Sequence, residues 1–322
     1  MSDPAAPPAV GRRLAGPPVA TAIFIAAYLI AAPPLFLLGP LALLLLFSRP
    51  KTPREWFWIA VTAAGAGYVI ADVVSHPTTD NLIITALALF LTAAFLICCH
   101  AFPTWSPVAR ALGSLAIAAT ALIAWGTKAG LSMTEIDSQV ETALRAMVPQ
   151  VLGPGTPAAQ VNAAVAAIPI MIQLAPGLIA FQALVGLGLA WRWHHRIATN
   201  PLPPPSGPFT LFRFGDQLIW GAIFTLGLVL LPLGPAANRL AQVALVVWTG
   251  LYATRGLAVT AAATARWSIL GRLLVTGLAF LAMPVAIGTL ITLGLADVWI
   301  DFRRRAAGPP FGEEDSHGSN SA

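Results

Sequence analysis

The sequence predicts an all-α fold, a polytopic bundle of transmembrane helices. Three observations predict it. Of 322 residues, 57% are hydrophobic and only 10% are charged, whereas a water-soluble domain carries about 25% charged residues. Apolar runs recur from Val19 to Ile300, and several reach the roughly 20 residues that a helix needs to cross a bilayer. The 18 basic residues stand in short groups at the ends of those runs, where orientation signals of membrane proteins fall.

The elements follow in order. Residues 1–17, rich in Pro and Ala with Arg12 and Arg13, read as a disordered cytoplasmic tail. The apolar run behind it, about 30 residues, exceeds the apolar region of a removable signal peptide, so it reads as retained. Eight apolar stretches then stand out, at roughly 18–48, 56–74, 82–98, 108–127, 164–191, 216–233, 237–264 and 268–299. The first is split by Pro33-Pro34 and the last contains Pro284. Each is an expected break, because proline removes a backbone donor and clashes with the preceding turn.

Basic residues decide the threading. If every stretch crosses once, eight basic residues fall on each side. If the first and last stretches fold back at their prolines, only Lys128, Arg145 and Arg239 stay outside and thirteen fall on the cytoplasmic side. The positive-inside rule prefers the second arrangement, with both termini cytoplasmic. Nine of the ten tryptophans lie near span ends, where their amphipathic rings suit the headgroup level. Trp248 is the exception and is expected between helices. The transmembrane domain therefore covers 18–305, and 306–322 read as a second disordered cytoplasmic tail.

Two connections are long. Residues 128–162 are expected outside. Ser132 with Glu135 reads as a capping box, and Met133, Ile136, Val140, Leu144 and Met147 recur at helical spacing opposite charged residues. This amphipathic helix lies on the membrane surface or forms a lid over an outward cavity. Residues 192–215 are expected in the cytoplasm, with a stiff Pro-rich core at 200–205 and Asp216 as the next N-cap.

Several function classes are excluded. A nucleic-acid binder presents a basic stripe on a folded face, and the net charge of +5 is not arranged so. Cys98 and Cys99 are adjacent, so no disulfide framework is possible. Cys98, Cys99, His100, His194 and His195 are of zinc-ligand types. Neighbours on one helix point about 100° apart, however, so neither a metal site nor another cofactor is expected. No phosphate-cradling loop, zincin helix or nucleophile elbow occurs, and no enzymatic activity is expected.

A charge within the bilayer marks a candidate site. Arg255, mid-way along 237–264, is the clear case: it snorkels, forms a structural pair or contacts a ligand. Its best partner is Asp297, which shares a helical face with Asp301. In 164–191, Gln173 and Gln182 flank Pro176-Gly177, where a break would free carbonyls to line a site; interhelical hydrogen bonding explains the amides equally well. Gly65, Gly67, Gly186 and Gly188 read as close helix packing.

The C-terminal half resembles the YybS-like family of bacterial integral membrane proteins, a domain of unknown function. The likeness is carried by Ala175-Pro176-Gly177, the basic run from Arg192 to Arg196, and Phe209, Phe212, Arg213 and Trp220. It continues through Asn238, the Gly256–Val259 tract and the segment from Gly294 to Arg303. It covers about 165–305, with Pro33-Pro34-Leu35 near the family's proline-rich turn. That family is distantly similar to the S components of energy-coupling-factor transporters, which have a short second helix after a proline turn. The resemblance implies a small-solute-binding or transport component of a bacterial inner membrane. On the reading of the residues themselves, the candidate binding residues for a solute are Arg255, Asp297, Asp301, Gln173 and Asn238. The partners of such a component would be the lipid bilayer and other membrane proteins or a transport ATPase module, with no nucleic acid. The alternative is a structural or regulatory membrane protein without a solute. A solute binder should show a polar pocket reached by Arg255 or Gln173; a structural protein should satisfy those groups internally.

Overall fold

The computed structural model describes residues 18–153, 155–205 and 207–300. Both expected tails, with Asp301, lie outside the described residues. These residues form eleven α-helices, two 3₁₀ turns and no strand. The chain divides into two compact units, 1–208 and 209–322. Among the described residues, six helices are long and apolar enough to cross a bilayer, so this is a multi-pass membrane architecture.

The first unit holds α1 (Pro18–Ala31), α2 (Leu35–Phe47), α3 (Pro53–Ser75), α4 (Thr79–Ala101), α5 (Pro107–Lys128), α6 (Met133–Leu152) and α7 (Ala158–Ile197). The 18–48 stretch divides at Pro33-Pro34 as expected, leaving α1 and α2 with 14 and 13 residues. Helix starts follow capping chemistry. Thr52 and Glu55 cap one another ahead of α3, with Pro53 in the first turn. Thr78 and Ser106 accept from the amides of Asn81 and Ala109 to open α4 and α5. The expected capping box at Ser132 is corrected: α6 starts there, but the Ser132 side chain makes no capping bond.

The core of this unit is layered by α2, α4, α5 and α7. Phe36, Leu44, Leu91, Phe95, Ala118, Leu187 and Ala190 are fully or almost fully buried. Gly186 is essential to it: a Cβ there would stand 2.8 Å from the Phe36 carbonyl oxygen, and the Tyr28 hydroxyl beside it donates to the Gln182 carbonyl at 2.9 Å. Gly65 has only the Leu38 side chain nearby, and Gly67 and Gly188 face open space. The packing role read for the last two is therefore corrected; both sit on outward helix faces.

Helix α7 also departs from expectation. It runs for 40 residues without a break, through Pro169 and Pro176. The expected opening at Pro176-Gly177 is absent. In hydrocarbon an unpaired carbonyl costs several kcal/mol, so the backbone keeps its helix on both sides of the one bond that proline removes. At 1.5 Å per residue α7 is about 60 Å long, twice the roughly 30 Å hydrocarbon thickness. Its extra length packs against α6, whose Ile136, Val140 and Leu144 are half-buried while Met147 is exposed.

The second unit holds α8 (Leu218–Leu230), α9 (Pro235–Ala263), α10 (Ile269–Leu281) and α11 (Met283–Ile300), after a 3₁₀ turn at Phe209–Leu211. The 268–299 stretch divides at Ala282, so Pro284 lands in the first turn of α11, where its missing N–H has no helical acceptor to leave unpaired. Ser268 caps α10 through the Gly271 amide. Asp216 is not the N-cap of α8, as expected from sequence; Gln217 holds that place and caps with no side-chain bond. Trp248 does pack between helices: its indole donates to Thr225 Oγ1 at 3.2 Å, and Gly221 makes room for its ring.

Candidate functional sites

The second unit contains the site that the sequence singles out. Helices α9 and α11 cross with Gly256 against Leu290 and Gly294 against Tyr252, so close that a Cβ on either glycine would overlap the facing carbonyl oxygen. Small residues permit such a crossing in a membrane, where close packing drives association. One residue before Gly256 and three after Gly294, Arg255 meets Asp297. Both are fully buried. Arg255 Nε donates to Asp297 Oδ2 at 2.9 Å and Nη2 to the Asp297 carbonyl at 3.0 Å. Nη1 donates to Asp216 Oδ1 at 3.2 Å, and the guanidinium lies 5.4 Å from the centroid of the Phe214 ring.

Within the unit, Arg255 stands in a buried ion pair. It does not snorkel, because no part of it reaches solvent. An isolated buried guanidinium would cost several kcal/mol, and two carboxylates, a carbonyl and an aromatic face offset that cost. Asp216, about half exposed, also approaches Arg213 at 3.8 Å. The Tyr252 hydroxyl, on the same helix and buried, has no hydrogen-bond partner among the described residues.

The other sequence candidates do not join this site. Asn238 is on α9, seventeen residues before Arg255, about 25 Å along the axis. It is half-buried, and its side-chain oxygen has no hydrogen-bond partner among the described residues. Gln173 is exposed on α7 in the first unit. Asp301 lies outside the described residues.

A second polar cluster, in the first unit, is not among the sequence candidates. It gathers where α2, α4 and α7 end and where α3 and α5 begin. Glu55 is fully buried. Its Oε2 accepts from the Lys51 and Thr52 amides and from Thr52 Oγ1 at 2.8–2.9 Å. Its Oε1 accepts from the Thr199 amide at 2.7 Å and from Thr199 Oγ1 at 2.6 Å. Arg110, equally buried, donates to the carbonyls of Phe102 at 3.0 Å, Pro203 at 2.8 Å and Pro103, and lies over the Trp191 ring. Two buried charges on different helices thus hold the segment after α7, one through Thr199 and one through Pro203. Charge-assisted bonds of this kind are about twice as strong as neutral ones.

The histidines beside them are buried rather than at the surface. His194 is fully buried, and neither ring nitrogen has a hydrogen-bond partner among the described residues. His195, also buried, has its Nδ1 2.9 Å from the Trp191 carbonyl. Among the described residues, no three His, Cys, Asp or Glu side chains converge as metal ligands.

No family model matches this chain, and neither a curated protein nor a solved structure does.

Proposed function

We propose that this chain is a structural or regulatory protein of a bacterial inner membrane, acting through partners rather than on a bound solute. The observation that carries this reading is the coordination of Arg255. Its donors are committed to Asp297 and Asp216 inside its own unit, while Gln173 faces outward. Satisfied internal charge is the signature expected of a structural interior. The α6–α7 pair, longer than the bilayer is thick, supplies a surface for a partner outside the lipid.

Orientation belongs to the same reading. Arg49, Lys51, Arg54, Arg110, Arg192 and Arg196 gather at one end of the first unit, and Lys128 and Arg145 belong to the other. The positive-inside rule then puts the first end in the cytoplasm. On this reading α1–α2 and α10–α11 each enter and leave the membrane on that side, which puts both termini in the cytoplasm.

The second reading is a solute-binding or transport component, as the likeness to S components implies. It is favoured by the division of 18–48 into two short helices around Pro33-Pro34. Purification in a mild detergent, followed by mass spectrometry of everything retained, separates the two. Stoichiometric recovery of a membrane or soluble protein partner without a small molecule supports the first reading. Recovery of one small molecule in stoichiometric amount, with or without an ATPase module, overturns it.

A further inference from the structure

The corner between α2 and α3 gathers positive charge that no described residue balances. Within six residues it exposes Arg49, Lys51 and Arg54, followed by the exposed rings of Trp56 and Phe57. No described residue forms an ion pair with any of the three cations. The nearest carboxylate in sequence, Glu55, is no counter-ion for them. It is buried, and its oxygens face inward to the Lys51 and Thr52 amides and to Thr199. The chain has therefore placed three positive charges together while turning the adjacent negative charge into the protein.

What surrounds the cations identifies their counterpart. Arg54, Phe57 and Trp58 stand at positions i, i+3 and i+4 of α3, one helical face. Phe57 and Trp58 meet edge to face with centroids 5.8 Å apart, and Trp58 meets Trp193 of α7 in the same way at 5.5 Å. Three aromatic rings thus form a continuous platform at a span end, one helical turn below a guanidinium. Aromatic rings of this kind settle at the glycerol and headgroup level of a bilayer, and cations one turn further out meet the phosphates, each contributing attraction to an anionic leaflet.

We propose that Arg49, Lys51 and Arg54 bind the phosphate headgroup of a net-anionic phospholipid, with its glycerol and upper acyl region against Phe57, Trp58 and Trp193. This goes beyond the partner-based function above and does not depend on it.

The test uses the full chain in detergent and native mass spectrometry, with phosphatidylglycerol and phosphatidylcholine titrated separately. The expected result is preferential retention of phosphatidylglycerol. Combined Arg49→Gln, Lys51→Gln and Arg54→Gln substitution should weaken that retention by roughly tenfold or more. Lys128→Gln with Arg145→Gln should leave it unchanged. If the triple variant fails to fold, raising the ionic strength on the wild-type protein should produce the same loss by screening. Equal retention of the two lipids, insensitivity to both the triple variant and salt, or complete displacement by millimolar inorganic phosphate would each overturn the proposal. The last outcome would make this a free-phosphate site instead.

Discussion

Gly256 and Gly294 lie in backbone contact across the α9–α11 crossing. A Cβ on Gly294 would stand 2.8 Å from the Gly256 amide nitrogen, and it would also overlap the Tyr252 carbonyl oxygen. The neighbouring atoms are backbone, which cannot step aside as a flexible side chain does. Alanine at either position should therefore separate the two helices and cost about 1–3 kcal/mol or more. Alanine at Gly188, which faces open space, should be neutral or slightly stabilising, since glycine is the poorer helix former. Thermal unfolding in detergent measures both. An unchanged midpoint for Gly256→Ala would mean that the crossing is looser than described.

The same crossing sets the energetics of Arg255. Arg255→Met should leave the Asp297 carboxylate buried without its main cation, a loss of about 3–5 kcal/mol. Replacing both partners together, as Arg255→Met with Asp297→Leu, should recover much of it, because no unpaired charge remains. Asp216→Asn should cost less, since its carboxylate is about half exposed and such pairs contribute about 0–1 kcal/mol. A double-mutant cycle on unfolding midpoints checks the order. If the double variant is no more stable than either single one, the unpaired buried charge is not what destabilises the single variants.

Why Arg255 and Asp297 were legible and Glu55 and Arg110 were not is a matter of position. Arg255 interrupts a long apolar run, where charge is conspicuous because lipid penalises it. Glu55 and Arg110 stand at run edges, where a charge looks like ordinary headgroup contact. Contacts distant in sequence, Thr199 to Glu55 and Pro203 to Arg110, complete their enclosure. One signal is present: Thr52 and Glu55 have capping-box spacing, the same spacing as Ser132 and Glu135, where no box forms. The proline breaks at 33–34 and near 284 were readable because each opens a new helix. Pro176 misleads, since its neighbours in α7 keep their helical bonds. The true length of α7 is hidden because its first turns, from Ala158, are rich in alanine and lack charge, so they read as neither span nor boundary.

The Glu55 clamp makes a prediction of its own. Glu55→Gln replaces an oxygen that accepts two or three hydrogen bonds with an amide nitrogen that can only donate, so several buried amides or hydroxyls lose their acceptor. A loss of about 2–4 kcal/mol is expected. Thr199→Val removes one hydroxyl bond and keeps the amide bond, so about 1 kcal/mol should follow. Limited proteolysis should find the segment 199–205 cut faster in Glu55→Gln than in the wild type. Equal cleavage rates would show that Arg110, through Pro203, holds this segment unaided.

The length of α7 also fixes where the bilayer can lie. Trp193 marks one interface, and about 20 residues of helix cross the hydrocarbon, which brings the second interface near residue 173. The segment 158–170 and the α6 helix packed on it then stand in water, joined by the turn around Gly153, whose φ of 79° suits glycine alone. A membrane-impermeant thiol reagent applied to intact cells should therefore label Ser138→Cys on the exposed surface of α6, in a Cys98→Ala, Cys99→Ala background. Lys51→Cys should be labelled only after the membrane is permeabilised. Labelling of Lys51→Cys in intact cells would reverse the orientation. Protection of Ser138→Cys in both states would place α6 within the lipid, and α7 would then have to lie steeply tilted to fit.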